Sequence, residues 1–230
     1  MKKAVVTGAS SGIGLAITQK LLELKYHVIG VSRTIDAYSL ASDHFTPMQA
    51  DLSDAKSVAE LCKKLQKEDI FILVNCAGFG RFEPHEELST EVIMQMSFLN
   101  LTAPMLLTSQ LLRSLKNNSG YLININSIEA LRSSKFAALY SATKAGLKAF
   151  GDALFEETRK SELSITNINP DMTHSKFYKT LRFAPSKEEN SSLFASDIAD
   201  AVAHILSMRK GAVVSEYTLR SLHFGIEKKS

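Results

Sequence analysis

The chain has 230 residues, 45% of them apolar and 22% charged, which fits one sizeable folded domain and excludes both a disordered polyelectrolyte and a membrane-saturated chain. Its 27 Lys+Arg against 24 Asp+Glu leave a formal charge of +3, scattered apart from pairs such as Lys2-Lys3 and Lys228-Lys229. That is too weak and dispersed for a nucleic-acid footprint. Two cysteines, Cys62 and Cys76, make neither a disulfide framework nor a CxxC pair, and read as free thiols of a reducing compartment. The apolar run Ala4-Val5-Val6 stops at Thr7-Gly8, far short of a signal-peptide core, and no stretch approaches the ~18 apolar residues of a membrane span. A cytoplasmic protein with no membrane partner is expected.

In chain order, short β-branched runs alternate with helical stretches. Strands are predicted at 3–7, 27–31, 45–50, 70–75, 121–126, 164–169 and 212–217, and helices at 12–24, 53–66, 89–115, 137–160 and 196–208. Ser53 and Ser196 read as helix N-caps. This rhythm implies crossovers and a seven-stranded, mainly parallel sheet covered on both faces: one doubly wound α/β domain of the Rossmann type over 1–230. The one break is the polar segment of about 171–194, long for a compact domain. It leaves the carboxyl end of a strand, where ligands of such sheets sit, and reads as a substrate lid.

Thr7-Gly8-Ala9-Ser10-Ser11-Gly12-Ile13-Gly14 lies between the first strand and the first helix. Glycines let the backbone turn tightly and approach a ligand, and the free N–H groups of a helix start favour a pyrophosphate. A dinucleotide site is the natural inference; the spacing is not the usual GxGxxG, nor is it a Walker motif, because no Gly-Lys-Ser/Thr follows, which argues against an NTPase. The second strand ends in Ser32-Arg33, not in an acidic residue. A guanidinium suits a 2′-phosphate, so NADP(H) is the expected cofactor. Asp51 is placed either to accept from the adenine amino group or to cap the next helix.

Tyr140 and Lys144 stand four apart in a helix-forming segment and share one face. An ammonium beside a phenol favours the phenolate, so Tyr140 is expected to have a lowered pKa and to serve as proton donor or acceptor. Ser127, ending the fifth strand, precedes it by thirteen positions. Together these residues closely resemble the short-chain dehydrogenase/reductase family: Ser127, Tyr140 and Lys144 match its active-site triplet, and Thr7 to Gly14 its glycine motif. Asn75-Cys76-Ala77-Gly78 is similar to its Asn-Asn-Ala-Gly with one change, and Asn100 corresponds to its catalytic asparagine.

The resemblance implies hydride transfer between a nicotinamide and a small carbonyl or alcohol substrate, with Tyr140 exchanging the proton. Ser127 would orient the carbonyl oxygen, Lys144 would bind the ribose hydroxyls, and Asn100 would fix a water that relays the proton. It implies a cofactor site made of Gly8, Ser10, Ser11, Gly12, Ile13, Gly14, Ser32, Arg33, Asp51, Leu52, Asn75, Ala77, Gly78, Tyr140, Lys144, Pro170 and Thr173, and a homodimer or homotetramer. The alternative on the same fold is a non-catalytic dinucleotide sensor or interaction protein. One departure concerns the lid: Pro170 is followed by Asp171 where the family commonly has glycine, which puts the carboxamide contacts of Thr173 or Ser175 in question. Cys76 reads as a small buried hydrophobe or a contact on the adenosine side. Phe79, Phe82, Phe136, Phe177, Tyr178 and Phe183 read equally as substrate-pocket lining or as packing. His174 reads as a solvated loop residue. The six histidines lack metal-ligand spacing, and no metal site is expected.

Overall fold

The computed structural model describes residues 1–34, 40 and 42–229. Its main sheet holds seven strands, all parallel: β1 (Lys3–Thr7), β2 (His27–Ser32), β3 (Phe45–Gln49), β4 (Ile70–Asn75), β5 (Tyr121–Ile125), β6 (Ser164–Pro170) and a last strand over Glu216–Leu219. From edge to edge the order is last strand, β6, β5, β4, β1, β2, β3, so the direction of winding reverses beside β1, and the crevice at that switch point is the expected ligand site. Every residue of β4 is buried, which is why that strand reads as an unbroken apolar run. Edge strand β3 instead alternates and tolerates Pro47, which has no N–H to give a further neighbour.

Helices α1 (Gly12–Glu23) and α6 (Ala195–Ser207) cover one face, burying Ile17, Leu21, Ile198, Val202 and Ile205 against Val6, Val28, Ile72 and Ile123. Helices α2 (Ala55–Leu65), α4 (Ala103–Asn117) and α5 (Ala138–Thr158) cover the other, with Leu61, Leu107, Leu111, Leu115 and Leu154 packed on Val5, Ile29, Leu73 and Leu122.

Four expectations about helix caps and element boundaries need correction. Asp54, not Ser53, caps α2 by accepting from Ser57 N. Ser196 lies inside α6, whose start is fixed by the Asp197 carboxylate accepting from Phe194 N at 2.8 Å. The last strand begins at Glu216 because the apolar run 212–214 stays off the sheet edge, and pairing with β6 opens only where Asn167 N donates to Ser215 O at 2.9 Å. Finally, 89–115 is not one regular helix. Helix α3 (Thr90–Ser97), capped by Ser89, passes through a π-turn over Phe98–Thr102 before α4 begins. Pro104 gives the reason: it has no N–H for the Asn100 carbonyl four residues back, so the α-ladder cannot run through this point.

The segment 171–194 is ordered by short elements: β7 (Thr173–His174), a 3-10 turn over Lys176–Thr180, β8 (Phe183–Pro185) and β9 (Leu193–Phe194). With the last sheet strand as β10, a further strand β11 (Ile226–Lys228) pairs antiparallel with β8, so the end of the described chain is clamped onto this segment. Asp171 does not need a glycine's conformations: its φ is not positive, and its buried carboxylate accepts from Met172 N at 2.9 Å and lies 3.4 Å from Arg220 Nε. His174 is no solvated residue, since it stacks on Phe194 and hydrogen-bonds to Ser192.

A chain of buried amides crosses the sheet beneath α5. Asn75 Nδ2 donates to Asn124 Oδ1, Asn124 Nδ2 to Asn167 Oδ1, and Asn167 Nδ2 to Asp152 Oδ1, at 3.0, 3.2 and 2.8 Å. Gly151 is the helix residue that lets these amides approach, because a Cβ there would stand 2.5 Å from Asn167 Oδ1. Alanine in place of a mid-helix glycine ordinarily gains about 1 kcal/mol. Here the overlap outweighs that gain, and Gly151→Ala is expected to destabilise the protein by about 1–2 kcal/mol, read as a lower Tm in thermal unfolding.

Candidate active site

A cleft of about 550 Å³ opens along the carboxyl ends of β1, β2, β4 and β5. Its floor is the turn after β1. Gly12 takes φ +55°, a left-handed conformation that favours glycine, and a Cβ on Gly14 would fall 2.2 Å from Gly8 O, so only glycine lets α1 start this close to the strand. Thr7 Oγ1 accepts from Cys76 N and Ala77 N at 2.9 and 3.0 Å, tying this turn to the loop after β4. Gly8, Ser10, Ser11, Gly12, Ile13, Gly14, Ser32, Arg33, Asp51, Leu52, Ala77, Gly78, Tyr140 and Lys144 all line the cleft. Asn75, Pro170 and Thr173 do not: Asn75 belongs to the amide chain, and Thr173 Oγ1 donates to Asp171 O. Ser175 takes the lid position instead, with its Cβ packed over Gly12. Thr34, Gln95, Lys176 and Thr180 also line the cleft; no motif in the sequence points to them, and the lid turn alone brings Lys176 and Thr180 there.

The cleft carries the marks of a dinucleotide site. Two buried polar atoms on lining residues, Ser32 Oγ and Asn126 Oδ1, find no hydrogen-bond partner among the described residues, one at the end of β2 and one at the end of β5. Unsatisfied buried groups are costly, and a ligand that spans both positions would satisfy them. Asp51 uses Oδ1 to accept from Ser53 N and Oγ at 2.9 and 2.7 Å. The Ser53 hydroxyl, with help from the Arg33 charge, holds its carboxyl below the usual carboxylate range, so a fixed anion faces the β2 end.

At the β5 end, Tyr140 and Lys144 project from successive turns of α5, and Lys144 Nζ lies 5.9 Å from the Tyr140 ring centroid. Lys144 is buried and donates to Ile125 O at 2.8 Å; loss of solvent pulls its pKa down to about 8. Burial also governs Tyr140, pushing the phenol well above its ordinary value of 10, while the neighbouring Ser127 hydroxyl pulls it partly back. The sequence expectation of a lowered phenol pKa is therefore corrected: desolvation is the largest influence on this phenol, and the one group that pulls it down is Ser127, not the lysine. Ser127 Oγ accepts from Glu129 N at 3.2 Å, and the Glu129 carboxylate accepts from Ser141 Oγ at 2.8 Å, fixing the residue next to Tyr140. Asn100 is fully buried in the π-turn; its amide donates to Phe79 O and Thr143 Oγ1 and accepts from Phe79 N, so it anchors the loop that carries Gly78. Burial pushes the Cys76 thiol up to about 12, and this inert group lines the cleft beside Ala77.

A doubly wound sheet with this cleft defines a dinucleotide-binding α/β protein. The sequence profile of the short chain dehydrogenase family matches residues 2–185. An uncharacterized oxidoreductase of Staphylococcus aureus is 32% identical over 227 residues, covering 95% of this chain and 96% of its own. Among solved structures, an alcohol dehydrogenase from the archaeon Thermococcus sibiricus complexed with 5-hydroxy-NADP is 30% identical, with a TM-score of 0.87 over 96% of this chain and 97% of its own. A 3-ketoacyl-(acyl-carrier-protein) reductase from Brucella melitensis complexed with NADH shares the fold at 24% identity, with a TM-score of 0.84 over 95% of this chain and 96% of its own. The chain belongs to the short-chain dehydrogenase family. It is an oxidoreductase of that family.

Proposed function

We propose that the protein is an NADP(H)-dependent oxidoreductase acting on a carbonyl/alcohol pair, with Tyr140 as the acid/base. The observation that carries this reading is one cleft holding Arg33 at one end and the Tyr140–Lys144 pair at the other. Bound nicotinamide would supply or accept the hydride. The chain's own residues do the rest: Tyr140 gives its proton to the developing alkoxide oxygen, or takes it in the reverse direction, and Ser127 holds that oxygen in place. Lys144 holds its ammonium behind the phenol and within the cleft, where the ribose hydroxyls would lie. A water fixed by Asn100 would use its backbone carbonyl, which Pro104 leaves without an α-helical donor, because the side-chain amide is engaged with Phe79 and Thr143. The solved alcohol dehydrogenase relative with an NADP analogue supports the same cofactor and reaction class.

Titration with NADPH and NADH side by side, followed by nicotinamide fluorescence, tests the cofactor assignment. NADPH is expected to bind more tightly, and Arg33→Ala to weaken NADPH roughly 10–100-fold, the worth of a charge-assisted pair, while leaving NADH nearly unchanged. Equal loss for both would overturn the 2′-phosphate role.

The helical stretch Thr90–Asn117 is long and apolar enough to cross a membrane, an 18-residue window of it having a mean hydropathy of 1.3. One side of it is sheet core, and Met94, Met105 and Leu106 are exposed. We propose that these residues meet a second copy of the chain in a homodimer or homotetramer of a cytoplasmic enzyme, with no nucleic-acid or membrane partner.

A further inference from the structure

Four aromatic rings gather around Tyr140, and one of them, Phe177, lines the cleft. Phe82 packs on Tyr140 with ring centroids 5.2 Å apart, and Phe177 does so at 5.7 Å. Phe183 meets Phe82 edge-on at 5.1 Å, and Tyr178 closes the circuit at 5.1 Å from Phe177 and 5.8 Å from Phe183. Phe82 comes from the loop after β4 and the other three from the segment 171–194, so two distant pieces of chain converge on the phenol that exchanges the proton.

The charges beside this wall are unsuited to an anionic substrate. Glu129 and Asp171 are both buried carboxylates. Of the cations near this wall, Lys144 donates to Ile125 O at 2.8 Å, Arg132 lies 3.6 Å from Glu129 and 3.9 Å from Asp171, and Arg220 lies 3.4 Å from Asp171, while Lys176 lines the cleft on the exposed side of the lid turn. Tyr178 adds no charge, because burial keeps its phenol protonated, with the pKa pushed up to about 12. A carboxylate brought to Tyr140 would lose its water and face two like charges. A flat π-system would instead extend the edge-to-face packing, a gain beyond the area it buries.

Resting on the oxidoreductase reading above, we infer that the substrate is an uncharged aryl ketone, or the corresponding secondary alcohol, whose ring is held by Phe82 and Phe177. In the reducing direction the carbonyl carbon receives hydride from the reduced nicotinamide cofactor, which is thereby oxidised, and the oxygen takes the Tyr140 proton to give the alcohol. Phe82 and Phe177 are thus assigned as specificity-determining residues.

The test compares acetophenone, cyclohexyl methyl ketone and benzoylformate as substrates for NADPH and NADH oxidation. The first two differ in aromaticity at nearly constant size, and the third adds a carboxylate. Acetophenone is expected to exceed cyclohexyl methyl ketone about 10-fold in kcat/KM, the worth of two aromatic contacts, and benzoylformate about 100-fold or more. Phe82→Leu is expected to lower the aryl-to-cyclohexyl ratio about 5-fold. Because both ketones depend on Tyr140, a variant that merely displaced the phenol would slow both equally and leave the ratio unchanged, which overturns the assignment of Phe82. A preference for benzoylformate, or for the cyclohexyl ketone, overturns the aryl-ketone inference while the oxidoreductase reading stands. Failure of every ketone with both cofactors overturns both.

Discussion

Tyr140→Phe is expected to reduce turnover by at least about 10³-fold while leaving the binding of NADPH within a few-fold of the parent. The substitution removes one oxygen and nothing else. The ring keeps its packing on Phe82 and Phe177, so the fold and the aromatic wall survive. What is lost is the group that carries the proton to the alkoxide. Stopped-flow or steady-state measurement of nicotinamide oxidation checks it, with fluorescence titration as the binding control; turnover retained in the variant would show that another group supplies the proton. The same phenol sets a pH signature. Burial holds it protonated through the neutral range, so alcohol oxidation, which needs the phenolate, should rise with pH between about 7 and 9. Carbonyl reduction, which needs the phenol, should stay level there until Lys144 begins to lose its own proton near pH 8.

Lys144→Met is expected to separate activity from stability. Turnover should fall at least about 10²-fold, because the positive charge that favours the phenolate and reaches the cofactor is gone. Stability at pH 7 should rise. Forcing this buried amine from its ordinary 10.5 down to about 8 corresponds to about 3 kcal/mol against the charged fold, and methionine fills a similar volume. Loss of the hydrogen bond to Ile125 O offsets part, leaving a net gain of about 1–2 kcal/mol. The sign of the pH dependence is fixed. Between about 8 and 10.5 the unfolded chain binds the proton that the folded chain has released, so the parent gains stability with rising pH and the variant does not. The Tm difference between the two should therefore be largest near pH 7 and shrink as pH approaches 10. A variant less stable than the parent at pH 7 would show that the ammonium is better solvated than its burial implies.

Much of this site is legible in the chain because it depends on local backbone rules. A glycine turn between a strand and a helix, and two side chains four apart on α5, follow from spacing, and both sit where spacing places them. What the sequence conceals is decided by contacts between distant segments. The π-turn at Asn100 has one local signal, Pro104, easily taken for an ordinary first-turn proline. The direction of the Tyr140 pKa shift depends on how dry the cleft is, which no pairwise spacing encodes. Asp171 looks like a defect where glycine is usual, until Arg220, 49 positions later, is seen at 3.4 Å from its carboxylate. The exchange of Thr173 for Ser175 at the cleft likewise depends on how the lid turn folds over Gly12.

The pairing of β8 with β11 orders the birth of the site in time. Residues 3–78 contain the glycine turn, Arg33 and the loop after β4, so most of the nucleotide cradle is available once these residues have left the ribosome. Phe183, by contrast, stands opposite Lys228, and β8 has no other strand partner among the described residues. The cradle can thus form early in synthesis, whereas the wall that selects the substrate is fastened only once Ile226–Lys228 has been made.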